Sequence, residues 1–469
     1  MMRNDEGHLK RYDSESAMLD GSTAVPGFER TKLVVPARKN MIIFGLSLLV
    51  LITILSFIFS IRVVFIVYSI YIIFMLSMFL FMWNEPPKSR KKPPSSLSSW
   101  PSVSIVIPSY NSRHTILKCI ESCKNLVYPG EKEIVVVDDG STDGSIELLH
   151  NIEGINLLRK EKNEGKGAAL NWAIRKTKSD IIVTVDSDSY PSPETLIKAI
   201  PYFYTDEKVA AVVIFVKPPK PKNLLQAVQE LDYWMNFGYL FKGMYNLGSL
   251  YVTPGPLSIY RRKVFDELGG FDEKNITEDM EIALRLQRHG YIIEYCDSVY
   301  VETEVPLTLK NLYRQRLRWY RGGIVNMFKY SDMVLNPNYE ALGMFIMPMV
   351  ITCGLFSSIF IAWNIIYLFR TQIYDALASW VANFYAMASL GIVINNIDFF
   401  MIDSISVFTM FSVLIWSYFV YMGFVIAKAK FSKDYILPLL VMFFLFPIFS
   451  AFTYLMAYIS EFTGKEYRW

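Results

Sequence analysis

The sequence predicts an α/β domain with a mostly parallel sheet, inserted between two blocks of membrane-spanning helices. Short β-branched runs at Val103–Ile107, Ile134–Val137, Ile181–Val185 and Ala211–Phe215 alternate with helix-period segments, which is the pattern of βαβ units. On both sides lie long runs with almost no charge, each about the length needed to cross a bilayer core. A third observation locates the chemistry. Ile181–Ser189 reads I-I-V-T-V-D-S-D-S, a buried strand ending in two carboxylates, and open α/β sheets bind ligands beyond the carboxyl ends of their strands.

Residues 1–40 are polar and mixed in charge and read as a disordered tail. Residues 41–84 hold two apolar runs, Met41–Ser60 and Val63–Trp83, separated by Arg62. The polar tail ahead of them argues against a cleavable signal peptide. Arg38 and Lys39 flank one end of this pair, and Lys88, Arg90, Lys91 and Lys92 the other, so both ends are expected in the cytoplasm. A Pro/Ser/Lys linker follows at 85–101, then the α/β domain at 102–309 and interfacial amphipathic helices at 310–341. A C-terminal membrane block at 342–460 holds three or four spans, with a tail at 461–469. Leu342–Phe369, Ile405–Ala427 and Tyr435–Ile459 read as spans. Ala376–Phe400 either crosses or lies at the outer interface, because Asn395, Asn396, Asp398 and Asp403 crowd its end. Lys428, Lys430 and Lys433 favour the second arrangement, and the side of the C-terminus stays open with it.

A chain of 469 residues allows two or three domains, and 15% aromatic residues with a positive mean hydropathy suit a chain that is partly membrane. The net charge of +3 selects no partner by itself, and no nucleic acid is expected. The four cysteines form no C-x-x-C pair, and Cys119 and Cys123 read as core positions on one helix. Four scattered histidines argue against a zinc site or a histidine-based triad.

Asp186 and Asp188 suit a hard divalent cation that carries a phosphate, since Mg²⁺ usually takes one or two carboxylates and leaves its remaining positions to phosphate and water. The plain alternative is a turn that caps the next helix. Val103–Asn111 runs through Pro108 into a polar turn where Tyr110 offers a flat face, and Val135–Gly144 repeats the design with Asp138 and Asp139. A strand-end carboxylate can accept the imide N–H of a uracil; ordinary turn chemistry is the competing reading. Lys166, in E-G-K-G at a helix start, is placed for a diphosphate. Glu278 and Asp279 fall in the first turn of another helix, where Asp279 can deprotonate a sugar hydroxyl. Acids there also suit the helix dipole, with Asn275 as the N-cap. In Lys310–Gly323, Asn311, Gln315, Arg318 and Trp319 share a helix face. That helix can offer Arg318 to a diphosphate and Trp319 to an acceptor sugar, or lie on anionic headgroups.

Placed in order, D-D-G-S at 138–141, D-S-D at 186–188, T-E-D at 277–279 and Q-R-L-R-W at 315–319 resemble membrane-integrated family 2 glycosyltransferases, the group of cellulose, chitin, hyaluronan and poly-N-acetylglucosamine synthases. The resemblance covers Val103 to about Tyr330 and implies a GT-A fold between N- and C-terminal transmembrane helices. It implies a donor-nucleotide pocket at Pro108, Tyr110, Asp138, Asp139, Lys166, Asp186 and Arg318, with Mg²⁺ or Mn²⁺ on Asp186 and Asp188. Asp279, beside Glu278, would be the catalytic base, and Gln315 and Trp319 the acceptor platform. Gly255 and Pro256 begin a segment similar to the acceptor-side loop of hyaluronan synthases, and G-K-E-Y-R-W at 464–469 is similar to a C-terminal segment that closes over the nucleotide in some relatives. The implied activity is inverting, metal-dependent hexosyl transfer from a UDP-hexose or UDP-N-acetylhexosamine. The implied setting is the cytoplasmic face of the plasma membrane, elongating a glycan that leaves through the chain's own multi-pass helices. Asn364, Asn383 and Asn395 are candidates to line that path. The alternative is transfer of one sugar to a polyprenyl-phosphate or other lipid-linked acceptor. Partner subunits are not legible.

Overall fold

A computed structural model describes residues 92–386 and 404–464, with isolated positions between 70 and 80. The expected 1–40 tail, the pair of helices at 41–84 apart from those positions, the part of Ala376–Phe400 past residue 386, the Asn383 and Asn395 side chains and the 465–469 tail therefore lie outside the described residues. Eight strands form one sheet: β1 Val103–Ser109, β2 Lys132–Asp138, β3 Asn156–Arg159, β4 Ile181–Val185, β5 Ser189–Pro191, β6 Val209–Lys217, β7 Leu257–Arg261 and β8 Ile292–Thr303. Their order is β3-β2-β1-β4-β7-β6-β8-β5.

The four expected strands are present, and the sheet is mixed with parallel pairing in the majority, β6 with β8 included. β3, β2, β1 and β4 run parallel, whereas β7 is antiparallel to both β4 and β6, and β5 is antiparallel to β8. β7 and β8 escape a pattern search for a physical reason. L-S-I-Y-R is short and has no β-branched run, and β8 changes register against β6 between Ile214 and Phe215.

β1 and β4 are buried along their whole length, as expected of strands covered on both faces. Alternation divides them between two cores. Ile105 and Ile107 pack with α1 (Ile116–Lys124), which carries Cys119 and Cys123, while Val106 packs with Ala169 and Ala173 of α2 (Lys166–Lys176). The second core continues through α3 (Leu224–Tyr233) and α4 (Glu278–Arg288) to α5 (Leu309–Lys329), which is longer than the expected amphipathic stretch.

The C-terminal helices are α6 (Met347–Ala386), α7 (Ser404–Ile426), α8 (Ile436–Phe444) and α9 (Phe446–Thr463). α9 packs against α5, with Tyr320 and Tyr454 stacked at 3.6 Å and an ion pair between Arg321 and Glu461. α7 packs on Trp234–Leu240, where Tyr239 and Phe419 meet at 4.7 Å. Among the described residues, the helix at Leu342–Ile366 is long and apolar enough to cross a membrane, and α8 and α9, bent by 41°, would form a second span as a pair. Asn364 donates to the carbonyl of Phe360 in its own helix.

Candidate active site

The parallel ladder β2-β1-β4 brings three strand ends together, and the two acidic pairs at those ends meet different surroundings. Asp139 accepts N–H bonds from Glu164 and Gly165, the latter at 2.8 Å, with the Lys160 ammonium at 3.4 Å. Its carboxylate holds the loop that leads into Lys166. Asp138 is fully buried. Its Oδ1 accepts from the Ser141 N–H at 3.3 Å, and its Oδ2 has no hydrogen-bond partner. Arg159 Nε lies 3.9 Å from that oxygen, an ion pair too long for a hydrogen bond, so Oδ2 keeps hydrogen-bond capacity that the Asp139 carboxylate spends on its loop. Tyr110 stands 46% exposed beyond β1, while Pro108 is buried within β1 opposite Val137.

Lys166 opens α2 and bridges two anions, Asp186 Oδ1 at 2.6 Å and Glu278 Oε1 at 3.1 Å. Burial opposes its charge, but Asp186 and Glu278 outweigh burial and hold the ammonium above the usual lysine range. The chain passes close to this crossing at Gly255, where a Cβ would lie 2.7 Å from Lys166 Nζ and 2.9 Å from Asp186 Oδ2 and would push those side-chain ends aside. Pro256 offers its carbonyl to the Asp186 N–H at 3.4 Å. Burial, then the charge of Asp186, pushes the Asp188 carboxyl up to about 6. Among the described residues no cluster of three or more His, Cys, Asp or Glu could hold a metal. Two crowded carboxylates fit an ion that draws its other ligands from a diphosphate.

The base candidate, Asp279, sits in the first turn of α4, and the N-cap of that helix differs from expectation. Thr277, not Asn275, is the N-cap and caps nothing with its side chain; Asn275 Oδ1 instead accepts the Thr277 N–H at 3.0 Å. Thr253, which the sequence reading missed, donates from both N–H and Oγ1 to the Asp279 carbonyl, at 3.2 and 2.8 Å. Adjacent Glu278 and Asp279 diverge in acidity. Burial opposes the charge on Glu278, but Lys166 and Arg318 outweigh it and hold that carboxyl below the usual range. Burial, then the charge of Glu278, pushes Asp279 up to about 6. Titratable pairs driven apart in this way mark acid–base assignments.

On α5, Gln315 Oε1 is buried without a hydrogen-bond partner. Arg316, also missed from sequence, lies 4.4 Å from the Trp319 ring and is ion-paired to Asp232 at 2.6 Å, both side chains being buried. No separate signal in the sequence marks this pair, because α3, L-L-Q-A-V-Q-E-L-D-Y, also holds Glu230.

A single cavity of about 1660 Å³ is lined by Lys166, Asp186, Asp188, Gly255, Pro256, Asp279, Gln315, Arg318 and Trp319. Pro108, Tyr110, Asp138, Asp139 and Glu278 do not line it. Past Trp319 the cavity continues between α6, α7 and α9, against Phe419, Phe446, Tyr454 and Tyr458.

The mixed sheet, with strand-end carboxylates beside such a cavity, is a GT-A-like α/β fold. Residues 104–269 match the family model for glycosyl transferase family 2, so the chain carries a glycosyltransferase domain of that family. The chain is 27% identical over 236 residues to a poly-β-1,6-N-acetyl-D-glucosamine synthase of Staphylococcus aureus, covering 50% of this chain and 57% of that one. The synthase of the same name from Staphylococcus epidermidis is 26% identical over 224 residues, 47% of this chain and 54% of that one. The chain thus spans little more than half the length of these relatives. In fold it is similar to a mannosyltransferase from Pyrobaculum calidifontis solved with GDP-mannose and Mn²⁺, at TM-score 0.51 and 19% identity, over 81% of this chain and 97% of that one.

Proposed function

We propose that the chain is an inverting glycosyltransferase that draws a hexose or N-acetylhexosamine from a nucleotide-diphospho-sugar to extend a glycan. The observation that carries this reading is the shared cavity, whose wall brings Lys166, Asp186 and Asp188 together with Asp279, Gln315 and Trp319. Asp138 Oδ2 is the acceptor for a base N–H, and Lys166 and Arg318 take the diphosphate charge. Asp279 removes the acceptor hydroxyl proton. That oxygen bonds to the anomeric carbon as the bond from that carbon to the phosphate oxygen breaks, and the nucleoside diphosphate leaves with the electron pair. Mg²⁺ or Mn²⁺ on Asp186 and Asp188, when bound, would neutralise charge on the leaving diphosphate; the divalent ion in the Pyrobaculum neighbour is consistent with that use. The proposed setting is a bilayer, with the α/β domain on its cytoplasmic face and the product leaving among α6–α9.

The second reading, one sugar moved to a lipid-linked acceptor, is favoured by the apolar wall beyond Trp319, which suits an isoprenoid or acyl chain better than a hydrated glycan. Full-length protein in lipid nanodiscs, given Mn²⁺ and a panel of UDP- and GDP-sugars, separates the two. Product of high molecular weight from one donor supports elongation. A single-sugar lipid product selects the second reading, and no nucleoside diphosphate release with any donor refutes both.

A further inference from the structure

One stripe of α5 serves two purposes. Gln315, Arg318 and Trp319 face the cavity. Gly322, Asn326, Lys329 and Tyr330 continue the same three- and four-residue spacing and face the turn that starts α4. There the two helices meet through a buried polar seam. The Asn326 Nδ2 donates to Thr277 Oγ1 at 3.0 Å, and the Asn275 Nδ2 donates to Asn326 Oδ1 at 2.7 Å. Lys329 and the Tyr330 hydroxyl both donate to Glu281 Oε1, at 2.8 and 2.7 Å, two residues beyond Asp279. Thr277 is the N-cap of the helix that carries Asp279, and threonine there usually bonds to its own helix. Here its hydroxyl is given to α5. Gly322 sets how closely the helices approach, since a Cβ at that position would lie 2.2 Å from Thr277 Oγ1 and 2.4 Å from its Cγ2.

We propose that Gly322 and Asn326 are positioning residues that fix the distance between the base on α4 and the acceptor platform on α5. The proposal rests on the transfer reading above. The seam lies one turn from Arg318 and Trp319 along one helix and two residues from Asp279 along the other. A shift there passes into the gap where the acceptor hydroxyl must meet both Asp279 and the anomeric carbon. Opening that gap leaves room for water, which gives its proton to Asp279 and attacks the same carbon. Free sugar and nucleoside diphosphate then form in place of an extended product.

The test uses full-length protein in nanodiscs with the donor the wild type turns over, and UDP or GDP to match as the binding probe. Misplacement of about an ångström costs on the order of 100-fold in rate. Gly322→Ala is therefore expected to slow transfer on that order, keep the affinity for nucleoside diphosphate, and raise the share of donor lost to water. Adding Thr277→Gly removes the clash but also the hydroxyl that Asn326 donates to, and is expected to recover transfer and lower hydrolysis only as far as the Asn326→Ala level. Asn326→Ala, which introduces no clash, should raise the hydrolysed share in the same direction. Spin labels at the exposed positions Lys274 and Arg314 should report a longer or broader separation in Gly322→Ala than in the parent. An unchanged hydrolysed share would overturn the proposal, as would a fall in transfer matched by lost nucleotide affinity without rescue by Thr277→Gly. If the wild type turns over no donor, the transfer reading has failed, and the label distances alone decide whether Gly322 sets the spacing.

Discussion

The proposed donor and acceptor sides of the site, of which the cavity wall is one part, are built by different means. On the donor side, backbone does the positioning. The parallel ladder of β2, β1 and β4 sets the strand ends, and main-chain N–H groups at Ser141, Glu164 and Gly165 hold Asp138 and Asp139. On the acceptor side the work falls to side chains far apart in sequence, with Arg316 on Asp232, Arg321 on Glu461 and Asn326 on Asn275. Backbone ladders tolerate substitution at most side chains. A packed side-chain network does not, because each buried group depends on its partner. Donor binding should therefore survive most single changes that destroy transfer.

The largest expected effect is Asp279→Asn, which removes the proton acceptor while keeping size and the bond from the Met280 N–H. Transfer should fall by about 10²–10⁴-fold, with nucleoside diphosphate affinity retained; equal loss of both would erase the distinction between the halves. The same residue sets a pH profile. With its carboxyl pushed up to about 6, transfer should rise as pH increases through that value. Stability moves the other way. The proton is held more tightly in the folded than in the unfolded chain, so Asp279 contributes stability that is present below about pH 4 and is lost as pH rises through about 6. Denaturation measured from pH 4 to 7 in wild type and Asp279→Asn reads that difference, and parallel curves would refute it.

Lys166→Met comes next, because that ammonium joins the halves through Asp186 and Glu278. Its loss leaves two carboxylates facing each other and takes one cation from the diphosphate. We expect kcat/KM to fall by about 10²-fold or more, a cost typical of losing one preorganised charge-stabilising donor. Glu278 should take up a proton at higher pH in this variant. An infrared carboxyl titration that leaves Glu278 unmoved would remove Lys166 from its role.

A smaller effect is expected at Asp139. Removing its carboxylate by Asp139→Ala costs the N–H bonds that hold the loop before Lys166, about 1.5–3 kcal/mol for hydrogen bonds to a charged group. The loss should appear in denaturant unfolding and in a raised donor KM. Loss of donor binding with unchanged stability would return Asp139 to direct ligand contact.

This contrast also explains what could be read from the sequence. Strands β1, β2, β4 and β6 and the groups on them are legible because a strand announces itself by composition and its end places the next residue. The Asp138–Asp139 pair was legible as a site but not in its division of labour, since which oxygen stays unmatched depends on where the 163–165 loop lies. Asn275 had every local mark of an N-cap, yet the helix starts at Glu278 after Thr277; the asparagine oxygen accepts the Thr277 N–H two residues on, and its amide donates to Asn326, fifty-one residues away. Nothing local in Q-R-L-R-W separates Arg316 from Arg318. Only the fold of α3 against α5 brings Asp232 beneath it.

Tyr110 offers the smallest effect and the finest test of the donor side. It stands 46% exposed just past β1, outside the wall of the main cavity, in a turn whose Asn111 has a positive φ of 51°. The turn itself is braced without the ring, by Asn111 Oδ1 on the Thr142 N–H at 2.9 Å and by Ser141 Oγ on the Asn111 N–H at 2.9 Å. Tyr110→Ala should therefore leave stability unchanged, and any functional change must come from the ring. Base–aromatic stacking is worth about 1–3 kcal/mol, and an exposed ring belongs at the low end. We expect Tyr110→Ala to raise the donor KM about fivefold with kcat intact, while Tyr110→Phe, which keeps the flat face, behaves as wild type. If Phe and Ala weaken the donor equally, the hydroxyl is the contact. If neither does, the base binds through Asp138 without stacking, and backbone-held groups account for the donor side alone.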